Sequence, residues 1–234
     1  MYPWCMDGFV SGRRIGVVGR LGVYPMARFT LPARRIVAYL AVNGGFGSRE
    51  EAAEALWPAL SQQKSKANLR RGLWQVPDGW LNSAGSELSL DASIDLVDAR
   101  HVASLAIGGG ELTFDDIELL SSDVLPGWNE EWLHLSRAAF RLLRVQALEA
   151  ACLTMAGSGR FALATRSGTA ALAAEPLRES AAGALTLAHL AQGNRYAAAQ
   201  LFHDFARLLY DELGVAPSAA LVSCVKGALP KDWA

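Results

Sequence analysis

The chain changes its periodicity at Asp95, and that change decides its architecture. Before it, short Val- and Gly-containing runs surround three short helical stretches punctuated by Pro32, Pro58 and Pro77. After it, Ala and Leu recur at helical spacing almost throughout, interrupted at Gly108 to Gly110, Pro126-Gly127, Gly157 to Gly159 and Glu175-Pro176. Alternating runs argue for strands, and apolar residues three and four apart argue for helices, so a mixed unit precedes an all-helical one. The expected fold class is mainly α with a small β component.

Charge divides at the same place. Residues 1–94 hold 11 Lys and Arg against 7 Asp and Glu; residues 95–234 hold 11 against 16, so the net charge of −1 conceals a front of +4 and a back of −5. Such asymmetry points to different partners for the halves, a polyanion for the first. Cys5, Cys152 and Cys224 are widely spaced and odd in number. They build neither a disulfide framework nor a C-x-x-C clip and read as reduced thiols of a cytoplasm. Asp7 and Arg13-Arg14 interrupt any signal-peptide core, and the longest apolar runs elsewhere fall short of the roughly 20 residues of a membrane span, so no membrane partner and a cytoplasmic location are expected.

Residues 1–14 form a patternless extension. From Ile15 to Leu31, two short strands are expected, joined by a hairpin turn at Pro25 to Arg28. Pro32 opens a helix that Asn43-Gly44-Gly45 stops; Ser48 caps a second, with Glu50 and Glu51 at its dipole-positive end, that Pro58 terminates. The third runs from Ser61 to Val76. A hairpin then pairs Trp80-Leu81 with Leu88 to Leu90 around a turn at Asn82 to Ser86. Residues 15–94 therefore make one domain in the order strands, three helices, hairpin.

The third helix carries Lys64, Lys66, Arg70 and Arg71 with no acidic residue. At about 100° per residue, Leu69, Leu73 and Val76 fall on one stripe, while Gln63, Lys64, Ala67, Asn68, Arg71, Trp74 and Gln75 fall on the opposite one. The first stripe packs and the second is free to enter a groove.

In the helical half, residues 95–230, the strings G-R-F-A and N-R-Y-A recur 35 positions apart, from Arg160 to Arg195. That offset is close to the tetratricopeptide period of about 34 residues. Helices are expected from about Glu130 to Met155, Phe161 to Ala174, Leu177 to Gln192 and Arg195 to Leu213. Small residues such as Ala191, Ala197 and Ala199, with an aromatic at Phe161 or Tyr196, suit the packing of successive pairs.

Several motifs stand in one register: L-P-A-R-R at Leu31 to Arg35, E-A-L-W-P at Glu54 to Pro58, K-A-N-L-R at Lys66 to Arg70 and L-P-G-W-x-E-E-W at Leu125 to Trp132. E-P-L-R-E-S at Glu175 to Ser180, A-H-L-A-Q-G-N at Ala188 to Asn194 and D-E-L-G-V-A-P-S at Asp211 to Ser218 follow. With them, residues 17 to 225 resemble the SARP family of regulators of bacterial antibiotic biosynthesis, an OmpR-type winged helix-turn-helix followed by a TPR-like bacterial transcriptional activation domain. The resemblance implies a sequence-specific activator of transcription, its third helix in the major groove of promoter DNA and its wing at the adjacent minor groove. It also implies binding to direct repeats, contacts with RNA polymerase subunits and pairing of protomers. This chain departs from the commoner pattern at Q-V-P-D-G, where a longer basic tail would follow the third helix, and it has no G-x-x-x-x-G-K-[ST] nucleotide loop.

On the third helix, Lys64 and Arg71 suit phosphates, Arg71 also a guanine edge, and Asn68 suits adenine. Ala67 allows close approach, Lys66 and Arg70 add charge, and Gln75 shares the outward stripe. Arg34 and Arg35 either lie against the phosphate backbone or are surface arginines near a helix start. Trp74 either meets a sugar or thymine methyl or packs on the wing or the second domain. Trp57 and Trp80 are expected in the core or hairpin, and Trp128 and Trp132 to lock their loop onto the long helix. His101, His134, His189 and His203 show no metal-ligand spacing, and no nucleophile elbow appears, so neither cofactor, metal nor enzyme activity is expected. Asp115, Asp116 and Glu118 read as a solvated cluster. An adaptor whose winged domain has given up DNA, and a sensor with a ligand between its helical pairs, remain as other readings.

Overall fold

The computed structural model describes residues 12–226, without the side chains of Cys224 and Lys226. It is mainly helical with two small sheets, the fold class expected from the sequence. The chain divides into two compact units, one reaching to Ala99 and including Ser122–Phe140, the other formed by Arg100–Ser121 and the chain from Arg141 onward. The units are thus not cut at residue 95.

In the first unit, β1 (Arg14–Gly16) pairs antiparallel with β2 (Gly22–Tyr24), Ile15 opposite Val23. The hairpin turns at Gly19, whose φ of +82° only glycine adopts cheaply, and not at Pro25; Phe29 to Leu31 lead directly into a helix. Of the expected extension, residues 1–11 lie outside the described residues, and Arg13 and Arg14 are built into the fold through Asp91 and Asp98. Thr30 caps α1 (Leu31–Val42), accepting from the Ala33 N–H, and Pro32 occupies the first turn, where a missing N–H is harmless. A short strand that the sequence did not announce, β3 (Phe46–Ser48), precedes α2 (Arg49–Leu56). Ser48 and Glu51 form a full capping box there. Next come α3 (Gln62–Leu73), β4 (Leu81–Ala84) and β5 (Glu87–Leu90), the last two a hairpin with a two-residue Gly85-Ser86 loop, tighter than expected. β3 pairs with β5, so the sheet order is β3-β5-β4. β6 (Ser93–Ile94) adds to β1 in parallel.

Ile36 and Leu40 of α1, Ala52, Ala53 and Leu56 of α2, Leu69 of α3 and Leu88 of β5 close the core of the helix-turn-helix. Asp95 is fully buried at the start of α4 (Asp95–Ile107), accepting the backbone N–H groups of Val17 and Val18 at 2.8 and 3.1 Å. Burial pushes its carboxyl up to about 6, against those bonds, which favour the ionised form.

In the second unit, α5 (Phe114–Ser121), the later part of α6 (Glu131–Gly157), α7 (Phe161–Ala174), α8 (Glu179–Ala191), α9 (Arg195–Leu213) and α10 (Ala219–Lys226) follow in order. α8 packs against α7, α9 and α10, which is why Ala181 to Ala184 are buried in succession. The tightest crossing lies at Gly168, where a Cβ would stand 2.9 Å from Cys152 Sγ and 2.9 Å from Leu185 Cβ. The residues expected to close the pairs do so unevenly. Ala199 is buried, but Ala191 is exposed and Tyr196 is 77% exposed, because α9 turns its Ala198, Phe202, Phe205 and Leu209 face inward instead. Burial pushes the Cys152 thiol up to about 12, so it is a packing group.

Candidate nucleic-acid interface

α3 is placed by three buried residues at helical spacing, Ser65, Leu69 and Gly72. The packing stripe is thus shifted from the expected one, with Leu73 and Val76 only half-buried. Ser65 Oγ donates to Trp57 and Ser61 carbonyls at 3.1 and 3.2 Å, fixing the entry to the helix on the end of α2. At Gly72 a Cβ would meet Ile36 Cδ1 at 2.5 Å, so the absent side chain lets α3 lie close against α1.

This seating turns Lys64, Lys66, Arg70, Arg71, Trp74 and Gln75 to solvent, with Ala67 and Asn68 half-buried beside them. Arg71 donates to Asn68 Oδ1 at 3.5 Å, holding the two candidate base readers on one face. Trp74 is 86% exposed. Lys66 points back to Glu50 of α2 at 2.6 Å, and its ammonium holds that carboxyl below the usual range. Gln75 accepts from Thr30 Oγ1 at 2.5 Å, tying the end of α3 to the start of α1.

Arg35, read from the sequence as either phosphate-facing or a surface arginine, does not join this face. Its guanidinium makes two 2.7 Å bonds to Glu130, donates to the Leu56 carbonyl at 2.7 Å and lies over the Trp57 ring. Tyr39 of the same helix packs edge-on against Trp132, whose Nε1–H donates to Glu130 at 3.2 Å. Trp132 therefore fastens α1 rather than only its own loop. Trp80 is buried edge-on against Phe29, as a hairpin packing residue should be. Arg34 is exposed beside a separate cleft with Arg28.

One residue on this side escaped the sequence reading. Arg49, first in α2, donates to Ser83 Oγ of β4 at 2.6 Å and lines, with Arg70 and Trp74, a groove of about 420 Å³ between the end of α3 and the wing. Its place ahead of Glu50 and Glu51 disguised it as a helix-start charge. The wing itself, Leu81 to Leu90, holds Glu87 and no Lys or Arg. Arg49 is thus the cation at the wing's root. Among the described residues, no group of three or more His, Cys, Asp or Glu could hold a metal ion, and no helix is long and apolar enough to cross a membrane.

Comparison with known proteins supplies a family for part of the chain. Residues 117–227 match the family described as bacterial transcriptional activator domain. No curated protein matches the sequence. Among solved structures, Mycobacterium tuberculosis EmbR, in complex with a low-affinity phosphopeptide, aligns with a TM-score of 0.64 at 20% identity, covering 94% of this chain. The chain spans 66% of that structure's chain. At this identity the likeness is one of fold. Residues 117–227 are thus similar to a bacterial transcriptional activator domain, and the chain as a whole shares its fold with EmbR.

Proposed function

We propose that the first unit binds promoter DNA sequence-specifically, with α3 in the major groove and the β4–β5 wing at the adjacent minor groove. The observation that carries this is the outer face of α3, where Lys64, Arg70 and Arg71 stand exposed without a carboxylate partner among the described residues, around Asn68. Arg71 and Asn68 read bases, Lys64 and Arg70 neutralise phosphates, and Arg49 and Trp74 bound the groove towards the wing. The helical domain then contacts RNA polymerase subunits and a second protomer on direct repeats, in the cytoplasm, which makes the protein an activator.

The test is anisotropy with the promoter DNA flanking its own gene, over a salt series and against scrambled competitor. Replacing Asn68 and Arg71 by Ala lowers specific affinity by about 1–3 kcal/mol for each lost base contact while leaving the melting temperature in place. Unchanged affinity would overturn the assignment of α3 as the reading helix. A second reading, a protein-docking adaptor, draws on the Lys66–Glu50 pair and the cation-free wing, which thin the positive field. It predicts DNA affinity that does not fall with salt, or none at low salt.

A further inference from the structure

We infer that the cleft between β2 and the start of α1 is a binding site for a small amphipathic carboxylate. Leu21, Val23, Ala27, Phe29 and Val37 line it, Arg28 and Arg34 stand at its edge, and its volume is about 390 Å³. That lies at the lower end of the roughly 300–1,000 Å³ that small-molecule sites occupy.

The charge pattern selects the ligand. Three arginines of this unit are held by carboxylates, Arg13 by Asp91, Arg14 by Asp98 and Arg35 by Glu130, whereas Arg28 and Arg34, like Arg70 and Arg71 on α3, are not. Among the described residues, the guanidinium groups of Arg28 and Arg34 have no hydrogen-bond or ion-pair partner and no acidic side chain lines the cleft. Arg34 lies in the first turn of α1, which contains no acid, so the positive end of the helix dipole adds to the two guanidinium groups. A carboxylate satisfies a guanidinium with two parallel bonds. The apolar wall below calls for an apolar body on the same molecule. A nucleotide would leave that wall unmatched, and a neutral hydrocarbon would leave the arginines idle. This site is distinct from the outward face of α3 and stands whether or not α3 reads DNA.

Calorimetric titration of the full chain with sodium octanoate tests this, with acetate supplying the head group alone and octan-1-ol the apolar body alone. Octanoate binds saturably, with acetate and octanol at least about tenfold weaker, and Arg28→Gln or Arg34→Gln each weakens octanoate about tenfold, the equivalent of one charge-assisted hydrogen bond. Ala27→Trp fills the cleft and abolishes binding with the far-ultraviolet circular dichroism unchanged. Should that variant fail to fold, the two exposed arginine variants carry the test. The proposal falls if octanoate shows no saturable binding up to about 5 mM. It falls equally if octanol or acetate binds as well as octanoate, or if neither arginine variant weakens it.

Discussion

The two units differ in whether they leave cations unpaired. In the second, Arg160 is paired with Glu111, Arg166 with Glu118 while lying over the Phe114 ring, and Arg178 with Glu149, each joining elements distant in sequence. In the first, Arg13, Arg14 and Arg35 are such clasps, but Lys64, Arg70 and Arg71 face water along one helix. Exposed ion pairs contribute only about 0–1 kcal/mol, so leaving three cations unpaired costs the fold little. A cation turned inward holds a fold together; a row of them turned outward with no acid among them is available to a polyanion.

The comparison breaks most readily where helices touch without charge. Gly168→Leu places a branched side chain where even a Cβ meets Leu185 Cβ and Cys152 Sγ at 2.9 Å, both on neighbouring helices. Overpacking of this kind should cost about 3 kcal/mol or more, read as a lowered chemical-denaturation midpoint. A loss under about 1 kcal/mol would mean that the second unit depends on its ion pairs more than on this crossing.

Carboxylates sharpen the contrast through pH. Asp95 faces backbone N–H groups in a dry interior, and its carboxyl rises from an ordinary 3.8 to about 6. The folded state thus holds the proton more tightly than the unfolded one. The stabilisation is complete below about pH 4 and is lost as pH rises through 6, a difference of about 3 kcal/mol at 1.36 kcal/mol per unit. Glu111, held below the usual range by Arg160, acts with the opposite sign at lower pH. The Asp95 part is therefore the difference between wild type and Asp95→Asn in melts from pH 4 to 7. If both slopes are equal over that range, Asp95 stays ionised and its two N–H bonds outweigh its burial.

Arg35→Ala comes next. It strips Glu130 of both guanidinium bonds and the Leu56 carbonyl of one, at a site where both side chains are about four-fifths buried. A loss of about 2 kcal/mol is expected by equilibrium unfolding, against less than about 0.5 kcal/mol for Arg71→Ala. Equal losses would erase the distinction between clasp and open face.

Much of this was legible in the sequence because it was local. Thr30-Leu31-Pro32, Ser48 with Glu51 and the Pro77-Asp78-Gly79 stop are start and stop signals within a few residues of the helices they bound, so the three helices of the first unit appear where expected. The fold class and the outward face of α3 followed from the same periodicity. What escaped is what depends on distant partners. Nothing near Arg35 reveals that Glu130, 95 residues away, will claim it. β3 and β6 are strands only because β5 and β1 lie beside them, and Tyr196 resembles Phe161 in sequence but sits on the outward side of α9. The hairpin turn was misplaced because Pro25 is the louder signal, whereas the positive φ at Gly19 makes the reversal.

The smallest effect bears most directly on the unpaired face. Glu50 accepts from both Lys66 and Gln62 at the edge of α3, and it is the carboxylate that shields one of the helix's four cations. Replacing Glu50 by Gln removes that shielding without touching the buried stripe. On the proposed DNA-binding role, Lys66 is then released to a phosphate, so DNA affinity at low salt should rise about twofold, with the slope of log affinity against log salt steepening by up to about 0.9. The gain should vanish at high salt, where the Debye length shrinks to about 3 Å. If the variant instead binds more weakly at every salt concentration, Glu50 and Lys66 act together to position α3. The pair would then belong with Arg35 and Glu130 among the clasps.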